Sequence, residues 1–78
     1  MDKKEMILTT IKVERDYSKR QVLQSIKVIR RILDQVEEEV DNGNVRADNG
    51  LQGNEWRLYK ELSNLERYNQ FIEELEKL

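Results

Sequence analysis

The 78 residues make a single small domain. Charged residues are 38% of the chain and hydrophobic ones 37%, and cysteine, proline and histidine are all missing. That excludes a disulfide framework, a Cys/His zinc site, a thiol nucleophile and an imidazole base. Fourteen basic and sixteen acidic side chains leave a net charge of −2, which fits neither a whole-surface polyanion binder nor a strongly acidic DNA mimic. No run approaches the roughly 20 apolar residues of a membrane span, and the apolar stretch after Lys4 is broken by Thr9, Thr10 and Lys12 with no small-residue cleavage site behind it. A cytoplasmic protein is the expectation, with no membrane partner.

Residues 1–17 read two ways. Ile7, Thr9, Ile11 and Val13 alternate with Leu8, Thr10, Lys12 and Glu14, a β-branched pattern that favours an N-terminal arm or short strand. Met6, Thr10, Val13 and Tyr17 also share a helical face, and no Gly or Pro interrupts the chain before Asn42, so one helix from about 3 to 41 is the competing expectation. A phase shift near Ser18, and the capping-box pattern Ser18-Lys19-Arg20-Gln21, place the boundary at 18.

From there Val22, Ile26, Ile29, Leu33, Val36 and Val40 recur at alternating spacings of 4 and 3, which predicts a helix over about 19–41. Asn42-Gly43 supplies the stop. Residues 42–54 are expected to form a loop: Asp41 to Asn54 holds all three glycines and four of the six asparagines, and Asp48-Asn49-Gly50 repeats the turn chemistry of Asp41-Asn42-Gly43. No frame in this stretch meets the ligand pattern of an EF-hand. Asn54 is the expected cap of a second helix over about 55–77, with a stripe of Leu58, Leu62, Leu65, Tyr68, Ile72 and Leu75.

The predicted fold is therefore mainly α, an antiparallel helical hairpin over 18–78 with an N-terminal arm or strand over 1–17, assembling as a dimeric helical bundle. Antiparallel pairing is expected to bring Glu37, Glu38 and Glu39 near Arg57 and Lys60, and Lys19 and Arg20 near Glu73, Glu74 and Glu76. Leu23, Val28 and Ile32 widen the first helix's apolar face beyond what one neighbour covers. Below about 80 residues one core seldom supplies more than about 3–5 kcal/mol, so self-association is a natural remedy. Val22, Ile26, Ile29, Ile32, Leu33 and Val36 are the expected self-association residues.

For function, the first helix carries its charges against its own dipole. Arg15, Lys19, Arg20, Lys27, Arg30 and Arg31 lie toward its positive end, and Asp34, Glu37, Glu38, Glu39 and Asp41 toward its negative end. Something outside the helix must compensate, either a hairpin or dimer mate or a docked partner. Trp56 points away from the Leu58–Leu62–Leu65 stripe and Tyr59 sits a quarter-turn from it; aromatics so placed anchor interfaces, and the competing expectation is that Trp56 covers the long loop or meets the N-terminal arm. Trp56, Tyr59, Arg30, Arg31 and Lys27 are thus the expected partner-binding residues of a small non-enzymatic regulator or inhibitor whose protein partner the sequence does not identify.

The alternative is nucleic-acid binding through the basic half of the first helix. One form is similar to the ribbon-helix-helix repressors, with Leu8, Thr10 and Lys12 of a paired strand facing the bases. Another is similar to the Rop family of RNA-binding four-helix bundles, with Lys19, Lys27, Arg30 and Arg31 on the phosphates. The acidic spacings Glu37-Glu38-Asp41 and Glu73-Glu76 loosely resemble the helical nucleotide pyrophosphohydrolases, which would imply magnesium and phosphate. A solvated acidic face is the better account, and no catalytic residue, metal or cofactor is expected.

Overall fold

A computed structural model describes residues 2–45 and 49–78 as two helices, α1 (Lys3–Asp41) and α2 (Leu51–Glu76), folded back on each other. The pair forms a rod of 61 × 15 × 15 Å, and α1 at 1.5 Å per residue accounts for its length. No strand occurs among the described residues, and no helix of the described chain is long and apolar enough to cross a membrane. Residues 46–48 of the expected loop, with Asp48 of its second turn, lie outside the described residues.

Each helix end has a local cause. Asp2 is the N-cap of α1, its carboxylate accepting a hydrogen bond from the Glu5 amide at 2.8 Å, and Glu5 places a negative charge in the first turn. At the other end the Gly43 amide donates to the Val40 carbonyl (3.0 Å) and the Asn44 amide to the Glu39 carbonyl (2.7 Å). With Gly43 at φ 82°, this is the Schellman arrangement, so the helix stops where Asn42-Gly43 was expected to stop it. At the start of α2, Gly50 sits at φ 81° and the Asn49 side chain accepts from the Leu51 amide at 2.9 Å. The helix begins one turn before the predicted Asn54 cap. Asn54 lies inside it and donates its side-chain amide to the Gly50 carbonyl at 2.8 Å.

The predicted boundary at Ser18 is absent, and the competing expectation of one continuous helix describes the chain. Residues 3–17 are neither arm nor strand but the first four turns of α1. The reason is the seam. Leu8, Ile11, Arg15, Ser18, Val22, Ser25, Ile29, Ile32, Val36 and Glu39 follow an unbroken 3–4 heptad spacing, and every one is buried or half-buried. On α2 the matching seam is Leu51, Asn54, Leu58, Glu61, Leu65, Tyr68, Ile72 and Leu75, again all buried or half-buried. Ser18 and Ser25 are at 4% and 3% exposure, so the hydroxyl residue that looked like a cap is a small seam residue that lets the helices approach closely.

The register also differs from the expectation. Glu76 meets Lys12 (3.3 Å) rather than Lys19, one heptad earlier along α1, and Tyr68 faces Glu14. The end of α2 thus packs on the segment that had been read as an arm, which is what holds that segment helical. No ion pair joins Glu37, Glu38 or Glu39 to Arg57 or Lys60. The buried apolar core is thin: among the described residues it consists of Val22, Ile32 and Ile72, each still 6–9% exposed.

Candidate protein interface

In heptad terms the hairpin uses the a positions of α1 (Leu8, Arg15, Val22, Ile29, Val36) and its d positions (Ile11, Ser18, Ser25, Ile32, Glu39). The stripe read from the sequence is a different pair of rows. Val22, Ile29 and Val36 belong to row a, but Ile26, Leu33 and Val40 stand in row e, just outside the seam. Leu33 is 47% exposed and Val40 52%. On α2, Leu58 and Leu65 are in row a and Leu62, 46% exposed, is in row e. Rows a and e of both helices lie on one side of the rod, and between Val22 and Val40 of α1 and between Leu58 and Leu65 of α2 they form an apolar face that α1 and α2 do not fully cover for each other. Among the residues expected for self-association, Val22 and Ile32 are buried in the hairpin seam. Ile26, Ile29, Leu33 and Val36 are the ones still available on this face.

The expected partner-binding residues fall into two groups. Trp56 and Tyr59 are both exposed and stack on each other, ring centroids 6.5 Å apart and planes 18° from parallel. Together with Gln52, Gly53 and Glu55 they line a shallow hollow on the outer side of α2. Gly53, one turn before Trp56, has nothing within 4 Å of the place its Cβ would occupy, which leaves one side of the indole open. Tyr59 also borders a second hollow with Leu62, Leu65 and Glu66, so it links the outer aromatic pair to the apolar face.

Arg30, Arg31 and Lys27 are all exposed and take part in no ion pair among the described residues. Their spacing separates them. Arg30 follows Ile29 and edges the apolar face. Lys27 and Arg31 point to the outer side of α1, away from Trp56. The structure therefore does not gather the five residues into one patch.

Sequence reasoning missed a third feature. Val13, Glu14, Tyr17, Ser18, Arg20, Glu61, Asn64 and Tyr68 line a cleft on the opposite side of the rod from the a/e face. The Arg20 guanidinium lies 6.0 Å from the Tyr17 ring centroid. The phenol of Tyr68 faces Glu14, and its pKa is raised by desolvation, then by the charge of Glu14 and hydrogen bonding to it, then by the charge of Glu61. The signal in the sequence is the Met6-Thr10-Val13-Tyr17 helical face, which competes there with the strand pattern. The carboxylates of Asp34, Glu37, Glu38 and Asp41 share an open polar surface, and among the described residues no three acidic side chains converge as a metal site would require.

No protein-family model, curated protein or solved structure matches the chain.

Proposed function

We propose that this protein is a small non-enzymatic regulator that binds another protein through the surface of a dimeric helical hairpin, with Trp56 and Tyr59 as the anchors of the contact. The observation that supports this most is the stacked, exposed Trp56–Tyr59 pair beside an open hollow. A tryptophan 70% exposed on a helix with an apolar face elsewhere contributes little to folding, while a rigid aromatic pair gives large contact area at little cost in conformational entropy. Arg30 at the rim of the a/e face adds a charge for steering and register. The dimer, the cytoplasmic location and the absence of catalysis belong to the same proposal.

The test is affinity capture with wild type and with Trp56→Ala and Tyr59→Ala, washed at low and raised salt. Protein capture that survives salt and is lost with either aromatic supports the proposal. Capture that is indifferent to both substitutions overturns it.

Nucleic-acid binding is the second reading, supported by the free Lys27 and Arg31 on the outer side of α1. Its ribbon-helix-helix form needs a strand where residues 7–13 are helical, which leaves the four-helix-bundle form. Binding of duplex DNA or stem-loop RNA that falls linearly with the logarithm of salt, and is lost in Lys27→Glu/Arg31→Glu, would replace the first reading by this one.

A further inference from the structure

We infer that the a/e face is covered by a second copy of the chain, with the two α1 helices crossing antiparallel about a two-fold axis at the level of Arg31, and with Arg30 paired to the partner's Glu37. This rests on the dimer in the proposal above and specifies its geometry.

The spacing of the face is self-complementary. If α1 is laid antiparallel on its copy with Arg31 at the centre, Ile26 lies opposite the partner's Val36 and Ile29 opposite the partner's Leu33, while Val40 extends the contact at the level where the partner's Val22 is already buried in its own hairpin. Ile26, Ile29, Leu33 and Val36, the four stripe residues still available on the face, then each meet another of the four, as an isologous contact requires. Rows a, d and e buried together are the pattern of a helix in a bundle core, whereas a lone hairpin needs only a and d.

Charge independently selects the same centre. The basic block Arg15, Lys19, Arg20, Lys27, Arg30, Arg31 ends where the acidic block Asp34, Glu37, Glu38, Glu39, Asp41 begins. α2 does not compensate either block: among the described residues, the one ion pair made by these eleven side chains is Arg15–Asp16, within α1 itself. A two-fold at Arg31 lays the basic block of each copy along the acidic block of the other. Lys12 and Glu76, each immediately after a seam residue (Ile11 and Leu75), already pair across the hairpin at 3.3 Å. Arg30 and Glu37 bear the same relation to the new seam, following Ile29 and Val36, so the geometry that joins Lys12 to Glu76 joins Arg30 to the partner's Glu37, twice by symmetry.

The elongated hairpin has surface to spare. The hairpin exposes 6518 Å², against roughly 5,000 Å² for a compact monomer of its mass. A standard interface removes about 800 Å² from each partner.

Arg30 and Glu37 are both exposed and have no partner in the hairpin, so exchanging their charges leaves the fold intact, which circular dichroism checks. Sedimentation equilibrium is measured for wild type, Arg30→Glu, Glu37→Arg and the double exchange. Each single change sets like charges against each other at two symmetric places and should weaken the dimer about tenfold or more, while the double exchange should return it to within about threefold of wild type. A wild-type dimer indifferent to either single change, or not restored by the double exchange, overturns this geometry and leaves the dimer standing. A wild type that stays monomeric overturns the geometry and the dimer together.

Discussion

Ile72→Ala tests whether the seam holds the first four turns of α1 in place. Ile72 is 6% exposed, and it lies on α2 between Tyr68 and Glu76, whose partners Glu14 and Lys12 are in the segment concerned. Burying such a side chain is worth about 1.5–3 kcal/mol, and truncation adds a cavity cost that depends on how far the site collapses. Two helices with solvent on both sides of their seam collapse readily, so the expected loss is about 2–3 kcal/mol, near the bottom of the range for Ile→Ala. Phe71→Ala is the control. Phe71 is larger but 47% exposed, and its truncation should cost no more than about 1 kcal/mol by the same area argument. Urea unfolding followed at 222 nm gives both values, at one fixed protein concentration because association contributes to apparent stability. Amide exchange in Ile72→Ala should lose protection first in residues 5–15 and 68–76. Equal losses for the two variants, or unchanged protection at the start of α1, would refute the heptad seam as the cause of the long helix.

Two further outcomes follow from the ends and the cleft. Gly43→Ala forces a Cβ onto a residue at φ 82° and should cost about 1–2 kcal/mol in urea unfolding, although no neighbouring atom obstructs the added methyl. Because the Tyr68 pKa is raised in the folded chain above its ordinary value of 10.0, its contribution to stability is complete below pH 10 and is lost as pH rises through the folded value. Thermal melts of wild type should therefore fall more steeply in alkali than those of Tyr68→Phe, which has no ionisable phenol to lose.

What the sequence made legible was the class of fold and the turn chemistry. Two helices, antiparallel, with a stop at Asn42-Gly43, follow from apolar spacing and from the one place where Asn and Gly stand at a helix end. What it concealed was the seam, because three of its five d positions on α1 are Ser18, Ser25 and Glu39 and two of those on α2 are Asn54 and Glu61. A search for apolar periodicity passes over such residues and locks onto the neighbouring e row, where Ile26, Leu33 and Val40 are conspicuous. The same substitution of rows produced the apparent phase shift at Ser18 and the boundary drawn there. Alternation of β-branched residues at 7–13 then made that segment look like a strand, although the interactions that decide its state come from Tyr68, Ile72 and Glu76, more than fifty residues away. Trp56 and Tyr59 were legible as candidates because they stand off every apolar row.

The row that sequence periodicity detects and the row that the hairpin buries share position a, and this has an energetic consequence. Ile32 in row d stabilises the hairpin alone. Leu33 and Val40 in row e can stabilise only what covers the exposed face. Ile29 and Val36 in row a are half-buried in the hairpin and touch both, so their truncation would weaken folding and association together and could not separate the two. A thin core of three buried apolar side chains gives the hairpin little reserve, so contacts made through row e add to a fold that row d, with its two serines, leaves marginal. Arg30 and Glu37 lie outside all three rows, which is why a charge exchange there reports on the association geometry without drawing on the stability of the hairpin itself.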